Sequence, residues 1–539
     1  MDPNEQTLQA RSARHARQRP DHVAIICEDR EVTYADLHRG SNQTAHALLA
    51  EGLARGARVA YLGQESESYY ELALACAKAG TVLVPINWRL TSREVDHVLR
   101  DSSAELLFVE RAFRAVAERL RPTLPGLTKV IEMDTQDSPA DGFLNWRAGH
   151  CDDDPDPGTG TEDAVVQMYT SGTTGLPKGV VLAHRTFFAY IDSIAGAEAD
   201  LIDWQPADRS LVGFPGLHSG GMGWFLAGFT VGLTNVIMRM FVAEEAARLI
   251  EQHEITITFM APAMMQMMLA ERWVTKQTFR SLRKVTYGGS PISPALLRRC
   301  IEGLGCGLAQ MYASAESGSV VTCLGPSEHV PGNPKLDCAG RPCPGNQVKI
   351  VGDAGQSLPP GEIGTILVST PTLFVEYWHR PDATRECLAD GWLRMPDAGY
   401  LDEDGYLHVC DRIDDTIIVA GQNIYPAEVE KALTEHPAVA DAAVIGIADD
   451  RWGEAVKAIV VLRPGEQASG RDLSLFLRGR VADFKIPTAY DFTDGLPRNP
   501  TGKILRRTLR EQEKDAGALR APRPEDAIPA ARPVARLEA

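Results

Sequence analysis

The sequence predicts an α/β protein. It has a large N-terminal domain of parallel-type sheets with helices, carrying a β-rich subdomain, and a small α+β C-terminal domain. Three observations predict it. Strand-like and helix-like runs alternate through the first 150 residues and again over 180–290, the pattern of a mainly parallel sheet. From about residue 340 the texture changes to short strands and frequent turns. Past residue 412 a helix–strand–strand–helix unit follows. At 539 residues the chain has room for more than one domain.

The elements are read in order. "HVAIICE" is a strand, and "TYADLHRGSNQTAHALLAEG" is a helix capped by Thr33 and closed by Gly52. "ARVAYLG" is a strand, "SYYELALACAKAG" a helix and "TVLVPI" a strand. Residues 151–163, "CDDDPDPGTGTED", form an acidic Pro/Gly linker. "VAEEAARLIEQHE" is a helix, followed by the strand "ITITFMAP". "NQVKIVGDAGQSLPPGEIGTILVST" and "GYLDEDGYLHVCDR" belong to the β-rich subdomain. "PAEVEKALTEH", "VADAAVIGIAD", "EAVKAIVVL" and "RDLSLFLRGRVADF" form the last unit. The boundaries are 1–411, 412–514 and a tail, 515–539, whose Ala, Pro and charge content predicts disorder.

Composition excludes several function classes. The net charge is −17 with no long Lys/Arg run, which argues against nucleic acid and anionic membrane surfaces as partners. The ten cysteines hold no C-x-x-C pair, and Cys338 and Cys343 lack a matching His/Cys cluster, so zinc is not expected. Free core thiols suit a reducing cytosol, and a cytoplasmic location is expected. The N-terminus lacks an apolar export core. "FLAGFTVGLTNVIM" from Phe225 is too short to span a bilayer and reads as a buried helix-to-strand passage, so no stable membrane anchor is expected.

"YTSGTTGLPKGVVLAH", from Tyr169 to His184, lies between the strand-like runs "VVQMY" and "VVL". A polar hairpin loop explains two of its glycines. It does not explain Thr170, Ser171, Thr173 and Thr174 beside Lys178. Gly172, Gly175 and Gly179 let backbone amides approach an anion closely, and hydroxyls plus one ammonium complete a phosphate cradle. It is not a P-loop, because no G-x-x-x-x-G-K-[ST] is present and a strand, not a helix, follows.

Later segments join it. "TYGGSPIS" holds Gly288, Gly289 and Ser290, and "QMYASAESG" holds Gln310, Tyr312 and Glu316. "GWLRMPDAGY" holds Asp397, "CDRIDDTIIVAGQNIYPAEVE" holds Arg412, Asp414 and Gly421, and "LPRNPTGKILRR" holds Lys503. Together these resemble the adenylate-forming superfamily, which comprises acyl-CoA and aryl-CoA synthetases, firefly luciferase and peptide-synthetase adenylation domains. The match runs in order over nearly the whole chain and is nearest to the acyl-CoA synthetases.

The resemblance implies a mobile C-terminal domain with a hinge at Asp414. It also implies ATP, Mg2+ and CoA as cosubstrates and cofactors. A carboxylate would attack the α-phosphorus of ATP to give acyl-AMP and pyrophosphate, and a thiol would then take the acyl group. By the same resemblance the loop holds the β- and γ-phosphates and Glu316 binds magnesium. Gly288–Ser290, Gln310 and Tyr312 form the adenine pocket, and Asp397 accepts the ribose hydroxyls. Arg412 contacts ribose or phosphate. Lys503 stabilises the charge that develops during adenylation, and Gly421 belongs to the thiol channel.

The chain departs from the family in places. Ala315 stands where a Thr is usual, Ala313 for Gly, Met395-Pro396 for Thr-Gly, and Val419-Ala420 for the Ser-Gly that opens the channel. "FPGLHSGGMGW" from Phe214 matches the acyl-pocket segment. Pro215 stands where amino-acid-activating relatives carry an Asp, so an apolar carboxylic acid is expected: fatty, aryl or polycyclic. His218 either lies near the carboxylate or is a hydrogen-bonded structural histidine. Met260 and Met264 are candidates for an adaptable apolar lining. A carrier protein acting in trans is the alternative acceptor, a non-catalytic nucleotide-binding relative is a second alternative, and a homodimer is left open.

Overall fold

The computed structural model describes residues 7–133, 142–156, 158–170, 177–195, 201–419, 422–449, 453–498 and 504–520. The chain divides into two compact units, Met1–Ile413 and Asp414–Ala539.

The first unit holds three sheets. One has the strand order 376–377, 178–183, 164–170, 82–87, 58–63, 106–109, 129–132. The strands from Ala164–Thr170 to Lys129–Glu132 in that order pair in parallel, while Lys178–Ala183 and Glu376–Tyr377 add antiparallel edges. Arg58–Gly63 and Leu106–Val109 are buried along their whole length, as parallel strands covered on both faces must be. The helix Tyr34–Ala50 starts at Thr33, whose side chain accepts the Asp36 N–H, and Glu67–Ala79 ends at a left-handed Gly80.

A second sheet runs 341–342, 322–324, 307–312, 284–288, 257–260, 209–212, 234–237, 23–27, 30–33. Its central strands, from Gly307–Tyr312 to Val23–Cys27, are parallel. Val23–Cys27 joins this sheet beside Thr234–Ile237, far along the chain, with Arg30–Thr33 antiparallel on its other side, and not the sheet of Arg58–Gly63 and Val82–Asn87. Phe225–Met238 is the expected passage, with the helix Ser219–Val231 leading into the strand Thr234–Ile237. The third sheet, of short antiparallel strands between Gln347 and Arg412, is the β-rich subdomain. A helix at Leu8–Gln18 precedes the first strand read from the sequence.

In the second unit the antiparallel pair Val439–Asp449 and Gly453–Leu462 packs with the helices Pro426–Thr434 and Gly470–Leu477 around its own apolar core. The helix Gly470–Leu477 ends well before the Phe484 that the sequence pattern suggested. The last helix, Arg506–Arg520, runs past Asp515 into the stretch expected to be disordered. Ion pairs Arg507–Glu511 and Lys457–Glu513 support it, a tertiary contribution that composition does not reveal. Residues 521–539 lie outside the described residues.

Candidate active site

Parallel strands of the second sheet deliver the candidate residues. Arg209–Val212 leads into Phe214–His218, Lys284–Gly288 into Gly289 and Ser290, and Gly307–Tyr312 into the turn carrying Glu316. Ligands of open α/β sheets bind at such C-terminal strand ends. Gly289 has φ +80, which only glycine adopts without strain, and a Cβ there would stand 3.5 Å from Phe214 Cζ. The Gly288–Ser290 turn and the Phe214–Trp224 segment are thus neighbours.

Thr170 and Lys178 face each other across the antiparallel pair Ala164–Thr170 and Lys178–Ala183. The two strands expected around the loop are therefore present. Ser171, Gly172, Thr173, Thr174 and Gly175 lie outside the described residues.

Glu316 and Lys178 come together through a segment that sequence reasoning passed over. The strand Glu376–Tyr377 lies along Lys178–Ala183, and Trp378 donates its N–H to Gly179 O at 2.8 Å. The same segment reaches the other way, with Phe374 N–H donating to Glu316 O at 2.9 Å. Tyr377 Oη donates to Glu316 Oε1 at 2.7 Å, and Lys178 Nζ stands 5.1 Å from the centre of the Tyr377 ring. Trp378 is stacked under the buried Arg58 guanidinium at 3.3 Å, and desolvation lowers that group to about 10. Arg380 and Tyr169 both bind Asp101 at 2.8 Å. Phe374–Arg380 is a strap that ties the strand Lys178–Ala183 to the turn carrying Glu316. The aromatic pair in "VEYWHRP" was its visible signal.

Tyr312 Oη donates to Asp397 Oδ2 at 2.6 Å. A carboxylate has about four acceptor positions, so this bond leaves room for further donors. Gln310 is in the same strand as Tyr312, and Tyr287 Oη approaches its Oε1 at 3.5 Å. Gly288 is buried and Ser290 half-buried. Ala315 is buried, and the turn around it is closed by Ser314 and Ser317, each side chain accepting the other's N–H. Asp397 pairs in register with Arg412, which is described only in its backbone.

His218 is the N-cap of the helix Ser219–Val231, its Nδ1 accepting the Gly220 N–H at 3.2 Å. Its ring is reached by solvent yet hemmed in by protein, with Phe214 edge-on at 5.5 Å, as in a recess. Lost hydration lowers it to about 4. Phe214, Trp224 and Phe259 form an apolar wall beside it, with Phe214 and Phe259 centred 4.6 Å apart. Met260 and Met264 are both buried in the core.

In the second unit Gly421, Ala420 and Lys503 lie outside the described residues. Arg498 and Ile504 pair as antiparallel neighbours on either side of residues 499–503. Arg506 binds Glu430 at 2.7 Å and Asp415 at 3.2 Å, and Arg510 binds Asp415 at 2.7 Å. Sequence reasoning had assigned these arginines no part in holding the helix Arg506–Arg520 to Asp415 and Glu430.

Residues 12–378 match the AMP-binding enzyme family, and 428–503 match the AMP-binding enzyme C-terminal domain. The chain belongs to this adenylate-forming family. Enzymes of the family use ATP and Mg2+. The chain is 51% identical over 511 residues to the fatty acid–[acyl-carrier-protein] ligase ScoC of Streptomyces coeruleorubidus, covering 95% of this chain and 97% of that one. It is 37% identical to a feruloyl-CoA synthase of Amycolatopsis sp, covering 93% and 97%. Among solved structures, the o-succinylbenzoate CoA synthetase of Bacillus subtilis, in complex with its acyl-adenylate intermediate, is 31% identical with TM-score 0.80, covering 93% of this chain and 97% of that one. Among the described residues no helix is long and apolar enough to cross a membrane.

Proposed function

We propose that this AMP-forming ligase adenylates an apolar monocarboxylic acid, a fatty acid before others, and passes the acyl group to the thiol of a separate carrier protein. The observation that carries the adenylation half is the Tyr377 bracket, one side chain facing both the Glu316 carboxylate and the Lys178 ammonium. Lys178 and the phosphate loop hold the β- and γ-phosphates. Tyr312, Gln310 and Gly288–Ser290 hold adenine, Asp397 the ribose hydroxyls, and Arg412 ribose or phosphate.

Glu316 is the carboxylate for Mg2+. Among the described residues no cluster of three or more acidic, His or Cys groups could hold a metal by itself. That suits Mg2+, which is commonly bound by one or two carboxylates together with substrate phosphates and water. When bound, the ion screens the meeting of two anions.

In the first step a substrate carboxylate oxygen bonds to the α-phosphorus, and the bond from that phosphorus to the pyrophosphate oxygen breaks. Lys503 stabilises the charge on both oxygens. In the second step a thiolate attacks the acyl carbon and AMP leaves with the bonding pair. Because His218 is held neutral above about pH 5, it lines the recess without adding charge beside an apolar acid.

Two observations support a carrier-protein acceptor. The likeness to the carrier-protein ligase exceeds that to the CoA synthase, 51% against 37%. Val419-Ala420-Gly421 also replaces the Ser-Gly-Gly that lines the thiol channel of CoA-using relatives. Coenzyme A itself is the second reading, favoured by the relatives that carry CoA in their names.

The test is acid-dependent pyrophosphate release on a fatty-acid ladder, aryl acids and the amino acids. Thioester formation is then followed by mass with CoA and with a phosphopantetheinylated carrier protein. The carrier is expected to be favoured by roughly tenfold or more in kcat/KM. Equal or better use of CoA selects the second reading. Preference for an amino acid overturns the acid assignment, and no acid-dependent pyrophosphate release sinks adenylation itself.

A further inference from the structure

A buried carboxyl outside the nucleotide site grips the acyl segment. Glu65 follows the strand Arg58–Gly63, is only 4% exposed, and pairs with no cation among the described residues. Its Oε1 accepts the Gly216 N–H at 2.7 Å, and its Oε2 is bound to Tyr70 Oη at 2.6 Å. Tyr69 Oη donates to Gly216 O at 2.9 Å. Both backbone groups of Gly216 are therefore held by side chains about 150 positions away. A Cβ at Gly216 would lie 2.2 Å from Tyr70 Oη, so only glycine fits the grip. Tyr70 also stacks on Phe225, 3.7 Å between centres, in the helix that His218 caps.

Burying a carboxyl with only neutral partners is costly, and packing alone would favour an apolar residue. What the carboxyl supplies is a fixed acceptor for one N–H of a short loop. That loop carries Phe214 on one side of Gly216 and His218 on the other. We propose that Glu65, with Tyr69, is a positioning residue for the acid substrate. By pinning Gly216 it sets the Phe214–His218 wall, and so the acid's affinity and chain-length preference. This rests on the reading of Phe214–Trp224 as the acyl segment.

The test measures acid-dependent pyrophosphate exchange on a ladder of straight-chain fatty acids. Glu65→Val is expected to raise the KM for acid roughly tenfold or more while the KM for ATP stays within about twofold. Glu65→Gln keeps an acceptor for Gly216 and a donor for Tyr70, and it should return the acid KM to within about threefold of wild type. If Glu65→Val does not fold, Tyr69→Phe decides. It removes one hydroxyl without changing the packing and should raise the acid KM by about three- to tenfold.

Gly220→Ala tests the underlying reading separately, because its methyl would press on Phe259 at 3.1 Å and Phe214 at 3.3 Å. If Gly220→Ala shifts the chain-length profile and neither Glu65→Val nor Tyr69→Phe changes the acid KM, the pin is overturned and the pocket stands. If Gly220→Ala also leaves the profile unchanged, the pocket assignment falls. Equal rises in the KM for acid and for ATP mean general loosening and overturn the pin.

Discussion

The proposed nucleotide side and the proposed acid side of this site are built on opposite principles. On the proposed nucleotide side, Lys178, Glu316, Tyr312 and Asp397 are partly accessible polar groups, the first two facing Tyr377 of the strap and the last two bonded to each other. On the acid side the polar groups Glu65, Tyr69 and Tyr70 are buried behind the wall and face the protein. On the proposed reading one side works by presenting charge and the other by fixing shape. Disturbing the first should therefore change turnover, and disturbing the second should change which acid is accepted.

The largest effect should come from Lys503→Ala. Acyl-AMP formation is expected to fall by about 10²–10³-fold or more, while transfer from supplied acyl-AMP is retained. Equal loss in both half-reactions, followed by single-turnover mass spectrometry, would break the division of labour between the steps. Next comes Glu316→Gln, expected to lower kcat by roughly a hundredfold.

Tyr377→Phe keeps the ring under Lys178 and loses only the bond to Glu316, so a drop of about tenfold is expected. Calorimetry should show the Mg2+ dependence of ATP binding shifted in both the Glu316 and Tyr377 variants. An unchanged Mg2+ dependence in Tyr377→Phe would make the strap merely structural.

The acid side is sharpened by pH. Burial lifts Glu65 from 4.5 to about 8, so folding takes up a proton between those values. The stability this gives is complete below pH 4.5 and is lost as pH rises through 8. Tyr69 and Tyr70, pushed far above their ordinary value by burial, stay neutral throughout. Glu65→Gln should therefore gain on wild type in urea midpoint between pH 5 and pH 8. A difference independent of pH would mean that the carboxyl is not buried as described.

The smallest effect is expected at His218. His218→Ala loses a helix cap worth about 1 kcal/mol, and His218→Asn should recover it. With its pKa lowered to about 4, His218 stabilises the fold above pH 6.5, and that contribution is lost as pH falls through 4. A urea midpoint for His218→Asn that stays as low as that of His218→Ala would remove the capping role.

Much of this was legible in the chain. Lys178 sits in a loop whose glycines and hydroxyls announce an anion, while Glu316, Tyr312 and Asp397 were marked by the resemblance of their motifs to the adenylate-forming family. The strand–helix alternation and the change of texture near 340 reported both large sheets and the β-rich subdomain, because hydrophobic period and turn residues are local properties. His218 resisted such reading, since cap and pocket group look alike in a single sequence. The helix through Asp515 was missed because ion pairs to a distant strand support it, and composition does not report them.

By itself, then, the sequence pointed to the candidate residues of its motifs and to the order of most of the elements that carry them. Tertiary structure alone decided which of those residues meet. It sent Val23–Cys27 to the second sheet, set Tyr377 on Glu316 across 61 positions, and closed Glu65 on Gly216 across 151. The physical reason is that strand pairing and burial join segments regardless of their separation. A buried carboxyl is marked as functional only by the neighbours that surround it, and those neighbours are not adjacent in the chain.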